Sequence, residues 1–330
     1  MGATNPRPRS LLGIVLVALL LGPTSLMLWL GRWRAALLYV LAILVALGLL
    51  LAFRPVATLG LSDAYAIIAL AISVVGLAHA IRIRKSALRR PWYSHWFVAL
   101  PIPLVTALAM VLGIRTFLYQ PFNIPSAAMY PTLKIGDYIF VSKFSYGYGK
   151  YSFNFSLGGY GYEVIRCCQF DFPGRVFFAD TPRRGDVAVF KLPTNTEVDY
   201  IKRVVGLPGD RIQMRDGVLV INGTAVKKER IQDFVDPNGE GGGSPVSQYL
   251  ETLPNGVRYR VLDVEIGGEG DNTMEYAVPP GHYFVLGDNR DNSQDSRYLE
   301  QVGYIPEDNF LGPVVLLFWS SKGFSLSGRP

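Results

Sequence analysis

Four long uncharged apolar runs crowd the first third of the chain, and no other feature limits its folding options so strongly. Residues 11–30 and 35–53 carry no charge, 64–81 hold only His79, and 96–114 lack Asp, Glu, Lys and Arg. At about 1.5 Å of rise per residue, each run approaches the roughly 30 Å of a bilayer core. The pattern predicts multi-pass membrane helices. Gly22 and Pro23 interrupt the first run and Pro101 and Pro103 the fourth, so the count is three or four spans. No small-residue site followed by a polar start marks the first run as a cleaved leader.

Basic residues set an expected orientation. Arg82, Arg84, Lys85, Arg89 and Arg90 crowd segment 82–90 without an acid, as in a cytoplasmic loop. The fourth run would then lead outward, leaving everything after Arg115 outside the cytoplasm. The formal charge of +6 is partly this topological signal, so it does not argue for a nucleic-acid partner. The expected division is a membrane region over 1–95, an anchor helix over 96–114, a β core over 115–221 and 281–320, and an inserted β subdomain over 222–280.

The exterior part reads as mostly β. Short apolar runs recur at 138–141, 187–190, 218–221, 283–286 and 314–319, each flanked by turn formers. Asn222-Gly223 after Val218–Ile221 is a two-residue hairpin signal. Segment 236–248 is rich in Gly, Pro and Ser and reads as a flexible loop. Cys167 and Cys168 are adjacent, a spacing at which a mutual disulfide closes a strained ring.

Three exterior segments are polar enough to carry chemistry. The loop "IPSAAMYPTL" at 124–133 contains Ser126 and is too rich in proline and small residues to be helical. In "DYIKRVVGLPGD" at 199–210, Lys202 sits within a strand-like run. Such a lysine is either a surface residue or a buried amine whose pKa falls enough for it to serve as a base. Segment "GDNRDNSQDSR" at 287–297 packs Asp288, Asp291 and Asp295 among Arg290 and Arg297. A calcium loop fits it poorly, because Ser293 stands where the sixth-position glycine belongs and two arginines intrude. Asp–Arg pairs buttressing a site fit it better. His282 is the sole exterior histidine, which disfavours a Ser-His-Asp triad and leaves a Ser-Lys pair open.

Together the segments "IPSAAMYPTLKIGDYIFVSKFSYG" (124–147), "RRGDVAVFK" (183–191) with "DYIKRVVGLPGD", and "GDNRDNSQDSR" resemble, in order, the motifs of bacterial type I signal peptidase, the leader peptidase family. The resemblance implies a signal-peptidase-type β fold with an inserted β subdomain, and a serine endopeptidase with a Ser/Lys dyad that needs neither metal nor cofactor. The family's nucleophile is the serine directly before Met in Ser-Met-x-Pro. Here Met129-Tyr130-Pro131 fixes the register, and that position is Ala128.

By the same carry-over Lys202 matches the general base, Ser126 an oxyanion-hole hydroxyl, and Ser293 the residue orienting the lysine. Asp288, Asp295 and Arg297 match supporting groups. Phe122, Ile124, Met129, Leu133, Tyr200 and Ile201 fall where the family lines its substrate pockets. The implied substrates are signal peptides of exported proteins, cut after Ala-x-Ala-type ends. The implied partners are the phospholipid bilayer and the secretion translocon, and the implied location is the bacterial plasma membrane with the active domain facing outward. Trp319 and the aromatic-rich stretch 144–163 would either meet the membrane interface or simply pack within the domain. With Ala128 in place the chain is expected to bind but not cut. Retention of Lys202, Ser126 and Ser293 favours a deliberate Ser-to-Ala replacement over an old inactive homologue.

Overall fold

The computed structural model describes residues 10–53, 61–83, 92–99, 101, 105, 108, 111–152, 155–157, 165–167, 174–176, 180–235, 245–263, 267–320 and 323–327. The chain divides into two compact units, Met1–Leu112 and Gly113–Pro330. Residues 84–90 of the basic segment, 236–244 of the expected flexible loop, and Cys168 lie outside the described residues; Cys167 ends the strand Ile165–Cys167.

The first unit corrects the expectation of membrane spans. Among the described residues no helix is long and apolar enough to cross a membrane. The helix Leu11–Trp29 is interrupted at Gly22, whose φ of 73° is non-helical, with Pro23 behind it. Of the fourth run, Trp96–Ala99 is a four-residue helix, the described residues 101, 105, 108 and 111–113 are helical as well, and the turn Ile114–Leu118 begins at its end. Leu11–Trp29, Trp33–Phe53 and Leu61–Ile83 pack on one another, burying Ile14, Leu26, Met27, Ala36 and Ala80 in a shared core. The helices bury only part of their apolar surface in this way, and Leu12, Leu38 and Leu70 stay exposed, so an uncharged run is not by itself a span.

The second unit is built of antiparallel sheets. Among the described residues the largest has eight strands. Its order is Tyr119–Asn123, Tyr138–Ser142, Phe310–Ser320, Val187–Leu192, Asn195–Gly206, His282–Leu286 and Ile305–Pro306, with Gly323–Ser327 against Phe310–Ser320. These strands include every apolar run the sequence marked except 218–221. That one forms its hairpin with Thr224–Ala225 through Asn222-Gly223, at φ of 52° and 76°. The hairpin belongs to a four-stranded sheet with Arg211–Arg215 and Tyr276–Ala277. Lys227–Arg230, Gln248–Thr252 and Arg258–Leu262 form a separate three-stranded sheet.

Alternation along the strands fills separate cores. Ile139 and Val141 point into one with Ile124, Met129, Leu133, Val187 and Val189. Ala188 and Phe190, on the other face of the same strand, join Val204, Tyr283 and Phe310. The loop 124–133 is thereby pinned at the end of the large sheet, its apolar side chains serving as core.

Candidate active site

The loop carries a single turn of 3-10 helix at Ala127–Met129, preceded by Ser126 in extended conformation (φ −135°, ψ 159°). Ser126 is exposed, whereas Ala128 is 9% exposed. The C-terminal polar segment holds this turn in place. Asn289 donates its backbone N–H to the Ala128 carbonyl and its side-chain amide to the Ala127 carbonyl, both at 3.1 Å. Gly287 backs the contact. A Cβ there would come within 2.7 Å of the Ala128 carbonyl oxygen and closer still to Ser293 Oγ. Gly287→Ala is therefore expected to destabilise the domain by about 1–3 kcal/mol and to push Ser293 aside, read as a lower denaturant midpoint.

Lys202 resolves the choice the sequence left open. It lies on the long strand Asn195–Gly206, opposite Ala188, and is 4% exposed. Burial is the largest influence and pushes its amine down to about 8; Arg297 adds to the fall, while Asp295 and Asp288 oppose it. The Tyr200 ring lies 5.7 Å from the amine. A second buried amine, Lys143, is also pushed down to about 8 by burial, but its charged neighbours are Arg115, Asp199 and Lys191, none of which surrounds Lys202.

Segment 287–297 closes the site with ion pairs. Arg203 grips both oxygens of Asp288 at 2.8 and 2.7 Å, and both residues are 1% exposed. Thr132 Oγ1 donates to Asp288 at 2.5 Å, tying the pair to the loop. Arg297 reaches both oxygens of Asp295 at 2.8 and 3.0 Å. Burial alone would raise the Asp295 carboxyl, but Arg297 and the Gly287 N–H hold it below the usual carboxylate range. Ser293 donates its hydroxyl to Asp295 at 2.8 Å, which commits the proton and leaves its lone pairs as acceptors. These pairings occupy the acids that a calcium loop would have needed. Asp291 instead approaches Asp263 and Asp271, and Asp263 is already paired with Lys228 at 2.5 Å.

Of the residues expected to line a substrate pocket, Phe122, Ile124, Met129, Leu133 and Ile201 gather in one cluster beside the turn. Tyr200 lies outside that cluster, packing by Phe190 and near the Lys202 amine.

Residues 96–319 match the family model described as "Signal peptidase, peptidase S26". The chain belongs to this signal peptidase family. A signal peptidase I of Rickettsia typhi is 38% identical over 221 residues, covering 65% of this chain and 77% of its own length. Another, of Rickettsia conorii, is 37% identical over 240 residues, 71% of this chain and 80% of its own. A solved signal peptidase I of Enterococcus faecalis V583 is 26% identical and spans 41% of this chain and 97% of its own, with a TM-score of 0.24, too low to bear on the fold. Membership of the signal peptidase family implies serine endopeptidase chemistry. Against that background the sequence missed Asn289, which fixes the turn, and Thr132 and Arg203, which anchor Asp288. Arg203 follows Lys202 directly, and a basic residue on the opposite face of a strand gives no sequence sign that it is buried.

Proposed function

We propose that this protein is a signal peptidase I in which Ala128 stands at the nucleophile position, so that the chain binds signal peptides and leaves them uncut. The observation that carries the reading is Lys202, a buried amine of lowered pKa on the strand against which the Ala127–Met129 turn packs. Retention of that amine with its Ser293–Asp295–Arg297 support favours a serine replaced by alanine over long-standing loss of function.

With a serine at position 128, the hydroxyl proton would pass to the neutral Lys202 amine as the oxygen attacks the scissile carbonyl. The Ser126 hydroxyl and the N–H of residue 128 would hold the oxyanion. Collapse would expel the mature protein's amine, which takes the proton back from Lys202. Water would then hydrolyse the acyl ester with Lys202 as base. Ser293, its own proton committed to Asp295, would only accept from Lys202, and would so aim the amine's lone pair.

Ile124, Met129 and Leu133 beside the turn are core residues, while Phe122 and Ile201 remain partly exposed. That small apolar wall suits Ala-x-Ala ends bound as an added strand. The enzyme would work at a bacterial membrane. Trp319, 47% exposed, and its cross-strand neighbour Tyr138, 40% exposed, offer aromatic surface to the lipid interface. Its partners would be exported precursors, the bilayer and the translocon that delivers them.

The test is capture. A fluorescent signal peptide ending in Ala-x-Ala should bind saturably in detergent micelles without product, and Trp at the last position should weaken binding about tenfold or more. Absence of saturable binding, or cleavage by the unaltered chain, would overturn the reading.

A further inference from the structure

A carboxylate from the three-stranded sheet reaches the segment that holds the catalytic support. Glu251 lies on Gln248–Thr252, directly opposite Tyr259 on Arg258–Leu262, and is fully buried at 0% exposure. Its two oxygens accept from Arg290 at 2.9 and 2.6 Å, and Tyr259 donates to it at 2.6 Å. Arg290, 2% exposed, belongs to the polar segment 287–297.

From Arg290 the contacts form a closed ring. Its Nε donates to the Gly287 carbonyl at 3.2 Å, and its own carbonyl accepts from Arg297 Nη2. Arg297 pairs with Asp295, which in turn accepts from the Gly287 N–H at 3.0 Å and from Ser293 Oγ at 2.8 Å. A second tether runs alongside, from the Leu262 N–H to the Asp288 carbonyl at 2.8 Å. Above this layer the Arg203 guanidinium lies 4.3 Å from the Tyr259 ring centre. One loop thus carries both Ser293 and the Asn289 clamp on the turn, and one buried acid outside it anchors its arginine.

We propose that Glu251 is a positioning residue for peptide cleavage, acting through Arg290 to hold Ser293 against the Lys202 amine and to keep water away from that amine. This rests on the reading of Lys202 as the base. A buried guanidinium cannot stay in place without its counter-charge, because an unpaired buried ion costs several kcal/mol. With Glu251 neutralised, Arg290 would be drawn toward solvent, the Gly287 carbonyl would lose its donor, and the ring would open beside Lys202. The groups facing that amine, Asp295, Arg297, Asp288 and Tyr200, would then be rehydrated with it.

The experiment starts from the full chain carrying Ala128→Ser. Its ability to cleave is a separate result: if it is inert, the base assignment falls and not this proposal alone. In that active background, Glu251→Gln, of nearly the same shape, should lower kcat about tenfold or more with KM changed less than about threefold. The acid limb of the kcat/KM profile should move to higher pH, since a hydrated Lys202 binds its proton more tightly. Loss of stability alone would lower the unfolding midpoint while leaving that limb unmoved. An unshifted limb with kcat within about twofold would overturn the proposal. Should Glu251→Gln not fold, Tyr259→Phe removes one donor to Glu251 and should shift the limb in the same direction by less; no shift there would overturn it equally.

Discussion

Ala128→Ser should raise the rate of precursor cleavage by roughly 10⁴-fold or more over that of the unaltered chain. Removing the nucleophile of a serine peptidase leaves only the rate supplied by substrate binding and oxyanion stabilisation. The position is ready for the hydroxyl. The turn is clamped by two hydrogen bonds from Asn289, and Ala128 is nearly buried beside the strand of Lys202. The measurement is gel or mass-spectrometric detection of a mature product from a purified precursor, with a new N-terminus after a small residue. A receptor that merely captures signal peptides would bind equally well before and after the change and release no product.

Lys202→Met gives the second large effect, and it has two readouts of opposite sign. In the Ala128→Ser background it should abolish cleavage by a similar factor of about 10⁴. Before that removal, kcat/KM should climb about tenfold per pH unit up to a limb near pH 8, where the amine becomes half deprotonated. On stability the sign is reversed. Because burial sets the folded pKa at about 8 against an ordinary 10.5, the folded state holds this proton less tightly than the unfolded chain does. The resulting penalty is fully present below about pH 8 and fades as the pH rises toward the unfolded value. Lys202→Met should therefore raise stability at pH 7 by about 1–3 kcal/mol, with the gain shrinking toward pH 10.5. A gain that grew with pH would mean the amine is not held neutral by burial.

Legibility in the sequence tracked locality. The strands at 138–142, 187–192 and 282–286 announced themselves because alternation and turn residues are written within a few positions. Lys202 was placed on a strand for the same reason, while Asp295 and Arg297 came as supporting groups from the family resemblance. Whether Lys202 was buried was not readable, since it depends on segments that arrive about ninety residues later. Glu251 lay further out of reach. An acid in an alternating strand looks like solvent-facing decoration until Arg290 is brought to it from another part of the chain. The apolar runs at the front failed for a different reason: absence of charge over a run does not by itself supply a helix long and apolar enough to cross a bilayer.

The strand Phe310–Ser320 lies between Tyr138–Ser142 and Val187–Leu192, although it follows both by more than a hundred residues in the chain. The sheet therefore cannot zip shut before that strand has been made. Until that late insertion, the half bearing residue 128 and the half bearing Lys202 have no shared scaffold. A site assembled this way stays incomplete until the central strand arrives as the bolt that joins its two halves.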